Sequence, residues 1–144
     1  MIYLNQLKKN NPELTIIFVS HDFGFLDHVV DQYLVMYGGF LVEKINNKNR
    51  LKESKELLHP YTQDLLSRLF DDDKEENYDE LASSVDLHKK LNSCPYVSSC
   101  KYIVNNEDLK SKCHTELPPV IKIDSDKNSN NFDAEWQRCW REFE

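Results

Sequence analysis

Glycine is scarce in this chain: Gly24, Gly38 and Gly39 are the only three among its 144 residues. A phosphate-cradling loop of the form G-x-x-x-x-G-K-[ST] needs two glycines ahead of a lysine, and no pair of these three has that spacing. An Asp-Glu pair closing an apolar strand is also missing, so the carboxylates that hold magnesium and orient water in phosphoryl transfer have no candidates. No stretch approaches the roughly 18 to 20 apolar residues that span a bilayer, and residues 1 to 9 lack the basic-then-apolar layout of an export signal. Positive charge is in deficit, with 25 acidic against 18 basic residues. That balance disfavours a nucleic-acid partner, whose phosphates need a basic face. With 40% apolar and 30% charged residues, the expectation is one modest core with polar extensions and no direct membrane insertion.

What the chain does have begins with the run Leu14-Thr15-Ile16-Ile17-Phe18-Val19, which Ser20-His21-Asp22 closes. Apolar residues at successive positions predict a strand covered on both faces, and open parallel sheets bind ligands just beyond the carboxyl ends of such strands. His21 is therefore the candidate nucleotide-facing residue, although the same position suits a histidine that merely caps a helix. Ile2, Leu4 and Leu7 make a weak helical stripe ahead of the run. After it, Asp22 is a candidate N-cap for a helix carrying Phe25, Leu26, Val29 and Val30 at helical spacing.

Residues 33 to 37 and 40 to 44 are short β-rich runs on either side of Gly38-Gly39, which predicts a hairpin because two glycines accept positive φ. A polar loop at 46 to 49 and a short charged helix over 51 to 58 follow. Pro60 suits the first turn of another helix, with Leu65, Leu66, Leu69 and Phe70 as its stripe. The acidic cluster from Asp71 to Glu76 has little to bury and predicts a solvated linker. Three segments result: 1–70, a linker with a short helix over 71–92, and 93–144, which carries every cysteine and a polar insertion at 124–131.

The cysteines are spaced Cys94-x5-Cys100-x12-Cys113-x25-Cys139. With no export signal the expected compartment is reducing, which favours metal or cluster ligation over disulfides. Four thiolates suit an iron–sulfur cluster or a structural zinc. Zinc sites usually bring close C-x2-4-C pairs, and none occurs here. Tyr96, Tyr102, Trp136 and Trp140 would shield such a site from water, or would form a small satellite core with the cysteines as buried hydrophobes. His114 is expected to be a neighbour of Cys113 and not a ligand.

Three ordered segments carry a resemblance: Phe18-Val19-Ser20-His21-Asp22-Phe23-Gly24, then Met36-Tyr37-Gly38-Gly39-Phe40-Leu41-Val42-Glu43, then His59-Pro60-Tyr61-Thr62. Together they resemble the C-terminal portion of ABC-transporter ATP-binding subunits of the oligopeptide/dipeptide (peptide/nickel) importer family. Cys94-Pro95-Tyr96, Cys100, and Cys113 followed by Glu116-Leu117-Pro118-Pro119 are similar to the C-terminal extension of that branch. Lys101 and Trp140 depart from it where proline and histidine are common.

The resemblance implies an α/β fold: a partial P-loop NTPase-like sheet with flanking helices, plus a small irregular Cys-rich extension. It implies that His21 is the switch histidine that hydrogen-bonds the terminal phosphate of ATP, with Mg present only in the complete subunit. It implies a [4Fe-4S] cluster on Cys94, Cys100, Cys113 and Cys139, with zinc as the alternative. The implied role is peptide uptake at the inner face of the cell membrane, together with an N-terminal ATPase portion, a second ATPase subunit and membrane permeases. Without phosphate loop, signature segment or catalytic carboxylate, this chain alone is expected not to hydrolyse ATP. The competing reading is a non-enzymatic four-cysteine metal-binding or redox module that docks through an exposed sheet edge.

Overall fold

The computed structural model describes residues 2–46, 51, 55–70, 92–123 and 134–141. Contacts divide the chain into one unit that ends at Asp31 and a second that starts at Gln32.

In the first unit, helix α1 (Ile2–Asn10) ends where Pro12 removes an amide donor. Helix α2 (Phe23–Val29) starts at Asp22, whose Oδ1 accepts the Phe25 N–H at 2.9 Å, so the cap read from the sequence is present. The Lys8 ammonium reaches the Asp31 carboxylate at 2.7 Å. Between the helices the expected strand over 14–19 does not form: no described residue pairs with it. A strand exists only through its neighbours' hydrogen bonds, and every described pairing lies in the other unit. The run consequently shows its apolar side chains to solvent, with Ile17 85% and Val19 98% exposed.

The second unit is built on a four-stranded sheet. Strands β1 (Tyr33–Tyr37) and β2 (Phe40–Ile45) form the hairpin, with Gly38 and Gly39 at φ +56° and +83°. Both central residues are thus left-handed, as a type I′ turn requires. The register slips between Val35 and Met36, so Val42 is extra on β2 and is fully buried. Strands β3 (Val120–Lys122) and β4 (Trp136–Arg138) complete the order β1-β2-β4-β3, antiparallel throughout. The fold is mixed α/β; the expected hairpin is antiparallel, and among the described residues no parallel pairing joins it to a P-loop-like sheet. The Cys-bearing segment supplies β3 and β4 and therefore shares a sheet with the hairpin. Of the linker with a short helix expected over 71–92, residues 71–91 lie outside the described residues.

Helix α3 (Pro60–Phe70) begins at the proline, as anticipated. Of the short charged helix expected over 51–58, Leu51 is helical and Lys55–Leu57 form a 3-10 turn, while residues 52–54 lie outside the described residues. The core gathers Val42, Ile45, Leu58 and Leu66 with the ring of Tyr96.

The hairpin turn is open to a direct test. Nothing lies within 4 Å of a Cβ built on Gly39, so Gly39→Ala meets backbone strain without a clash. A left-handed non-glycine residue costs roughly 1–2 kcal/mol, and the urea midpoint of the variant should fall by the equivalent amount with an unchanged slope.

Candidate functional site

The four cysteines, distant in sequence, line one cavity beside His59, Tyr96, Tyr102 and Arg141. Each is placed by a local device. Cys94 donates its N–H to the Cys113 carbonyl at 2.8 Å and accepts from Val97 through its own carbonyl, which starts a tight turn. Cys100 joins two 3-10 turns, Val97–Ser99 and Lys101–Ile103. Cys113 rides on helix α4 (Glu107–Thr115), which Asn106 caps by accepting the Leu109 N–H at 2.9 Å. Acidic Glu107 and Asp108 in its first turn and basic Lys112 and His114 in its last complement the helix dipole. Cys139 directly follows β4, and its sulfur accepts the Arg141 N–H at 3.4 Å.

None of the four is in a disulfide, and Cys94, Cys113 and Cys139 are buried. Burial pushes the Cys139 thiol up to about 11, against a smaller opposing pull from the Arg141 N–H. Burial likewise raises Cys100, helped by repulsion from Cys94. Cys113 goes the other way, because the Cys94 thiol hydrogen-bonds it and outweighs burial. The thiols are thus electrostatically aware of one another, as side chains around one small volume must be.

Fitness for a metal depends on which metal. Zinc places each sulfur about 2.3 Å from one point, and among the described residues no three His, Cys, Asp or Glu side chains are gathered to hold a single ion. The zinc alternative finds no support on that ground. A four-iron cluster takes each thiolate on a different iron, so it asks for four cysteines around a shared space, and the cavity is lined by four that are in no disulfide.

His59 is the residue whose part in the site the sequence does not show, since His59-Pro60-Tyr61-Thr62 reads there only as a helix start and a family resemblance. Its Nδ1 accepts the Tyr61 N–H at 3.1 Å and so caps α3, while its backbone N–H donates to Glu43 Oε2 at 3.1 Å. The ring also hydrogen-bonds the Arg138 backbone. One side chain position thereby ties β2, β4 and α3 together at the cavity wall. Burial lowers its imidazole to about 3, against the Arg138 hydrogen bond, with the Arg141 charge adding to the depression. It is a neutral structural histidine.

Of the four aromatics expected to shield the cysteines, two do. Tyr96 is fully buried, stacks edge-on against Tyr37 and Tyr61, and donates its hydroxyl to Asp64. Burial and that carboxylate both push its phenol well above the ordinary range. Tyr102 donates to Gln63 Oε1 at 2.8 Å. Trp140 instead lies under the Lys112 ammonium at 4.3 Å, and Trp136 belongs to β4. His114 is exposed on α4 and is not among the residues that line the cavity. His21 is exposed in the first unit, just ahead of the Asp22 cap.

Comparison with known proteins identifies relatives. The dipeptide transport ATP-binding protein DppF of Escherichia coli strain K12 is 36% identical over 112 residues, which are 76% of this chain and 30% of that protein. The oligopeptide transport ATP-binding protein YkfD of Bacillus subtilis strain 168, itself assigned provisionally, is 27% identical over 125 residues, or 84% of this chain and 36% of that protein. The oligopeptide transport ATP-binding protein AppF of the same strain reaches 44% over a shorter 54 residues, 38% of this chain and 16% of its own. The chain therefore spans about a third of the length of the relatives it matches most broadly. No family model matches, and no solved structure does. The resemblance to ATP-binding subunits of peptide ABC transporters holds, as a partial one. Among the described residues, no helix is long and apolar enough to cross a membrane.

Proposed function

We propose that this chain is the C-terminal part of the ATP-binding subunit of an ABC importer for oligopeptides or dipeptides. The observation that carries the reading is its similarity, across three quarters of its residues, to a dipeptide transport ATP-binding protein. The ordered segments around His21, Gly38-Gly39 and His59 support it. So does the exposed apolar run at 14–19, whose Ile17 and Val19 have the character of a strand awaiting neighbours on both faces. In this reading His21 donates a hydrogen bond to the terminal phosphate of bound Mg-ATP. Imidazole suits the task because it pairs with an anionic oxygen at neutral pH and can change protonation when that oxygen leaves. The complete assembly adds an N-terminal ATPase portion, a second ATPase subunit and membrane permeases, which hold this chain at the inner face of the membrane.

The four cysteines hold a [4Fe-4S] cluster in this proposal. Bound there, the group supplies a one-electron redox centre and a covalent staple. The chain's own residues position the thiolates, exclude water through Tyr96 and Tyr102, and hold the pocket against α3.

Two measurements test the proposal. Pure chain should show no ATP hydrolysis, whereas co-expression with a matching N-terminal ATPase portion and permeases should restore ATP-dependent peptide uptake. His21→Ala should then lower uptake at least tenfold without changing assembly. Uptake that is indifferent to His21→Ala would overturn the assigned role. Anaerobic purification should yield a brown protein with broad visible absorbance, and an iron-free product after iron and sulfide reconstitution would remove the cluster.

A further inference from the structure

We infer that Arg141 is the counter-charge and positioning residue of the four-cysteine site, an inference that rests on the cluster reading above. Among the described residues that line the cavity, Arg141 carries the only full positive charge. Its guanidinium is held in place from two directions. One terminal nitrogen donates to the backbone carbonyls of Glu56 at 2.6 Å and Leu58 at 3.0 Å. The planar group also lies on the Tyr102 ring, 4.2 Å from its centre, and Tyr102 is anchored in turn on Gln63. Its backbone N–H points at the Cys139 sulfur.

Four thiolates on an iron–sulfur core leave a net negative site in a buried place, and a cation at its wall offsets that charge. Reduction adds one electron and one more negative charge, so a fixed guanidinium favours the reduced form and raises the potential. The two carbonyl contacts give the same residue a mechanical role. They bind the chain just after Cys139 to the segment that leads into α3, which fixes the distance between the charge and the sulfurs. Arginine suits this double task better than lysine, because its planar fork bridges two acceptors and stacks on an aromatic face.

The test compares wild type, Arg141→Gln and Arg141→Lys after anaerobic reconstitution with iron and sulfide. Each is titrated with dithionite in the presence of redox dyes and followed by visible absorbance and by the iron-to-protein ratio. At the wild-type midpoint, Arg141→Gln should lose about tenfold in its reduced-to-oxidised ratio, equal to about 59 mV for one electron. Arg141→Lys, which keeps the charge, should stay within about threefold of wild type. An unchanged midpoint in Arg141→Gln overturns the inference while leaving the cluster reading intact. Equal shifts in both variants assign the effect to the lost bridge and overturn the counter-charge. Loss of iron from Arg141→Gln alone supports it, and loss from both variants overturns it. A wild-type chain that takes up no iron overturns the cluster reading, and this inference with it.

Discussion

Lowering the pH from 6.5 to 5 should take about 2 kcal/mol from the stability of the iron-free unit that starts at Gln32. The origin is His59, which is 1% exposed and whose imidazole is held down to about 3 by burial. The unfolded chain binds a proton there near 6.5, and the folded chain refuses it until about 3. Above pH 6.5 neither state is protonated and the contribution is complete. As pH falls below 6.5 the unfolded state gains protons that the folded state does not, so stability declines by about 1.4 kcal/mol per unit until the folded-state value is reached. Urea unfolding between pH 7.5 and 4.5 measures the slope. His59→Asn separates this source from the carboxylates: its Oδ1 retains an acceptor for the Tyr61 N–H, as in an ordinary N-cap, but nothing titrates. The variant should start less stable at pH 7.5 and show a shallower decline. Parallel slopes for the two proteins would assign acid sensitivity to the carboxylates and remove His59 from the account.

Local chemistry was legible in the residues, and long-range assembly was not. Gly38-Gly39 announced the hairpin because positive φ at both positions has few other solutions, and β1 and β2 fall where the flanking runs placed them. Asp22 and Pro60 marked helix starts for equally local reasons. Strands β3 and β4 are three residues each, too short to display an alternation, and they exist because β4 finds β2 across more than ninety positions. The run at 14–19 misled because its composition is that of a covered strand, while pairing depends on neighbours that composition does not report. Helix α4 was passed over inside a segment read as irregular, although Asn106 with Glu107, Asp108 and Lys112 is a recognisable capped and dipole-matched pattern. At the site, counting found all four cysteines. His59 and Arg141 escape a reading by spacing because their side chains act through backbone groups of distant segments, Arg138 for the one and Glu56 and Leu58 for the other.

Replacing Tyr96 by alanine should cost about 3–5 kcal/mol, the range for a fully buried aromatic side chain. Its ring is 2% exposed and packs 5.0 Å from Tyr37, 5.5 Å from Tyr61 and 6.2 Å from His59, centre to centre. Those three belong to β1 and the start of α3, so one side chain fastens the loop between Cys94 and Cys100 to both. Tyr96→Phe separates packing from hydrogen bonding. It keeps the ring contacts and removes only the hydroxyl that Asp64 accepts from. The Asp64 side chain is 25% exposed and is also approached by the Lys101 ammonium at 3.6 Å, so the carboxylate keeps access to water and a cation after the change. The phenylalanine variant should therefore lose only about 1 kcal/mol. Thermal unfolding of the three proteins measures the ratio, and hydrogen exchange at residues 94 to 103 reports where the loss falls. If Tyr96→Phe were as damaging as Tyr96→Ala, the hydroxyl and its carboxylate would be the fastening of the cysteine loop, and the ring stack merely its consequence.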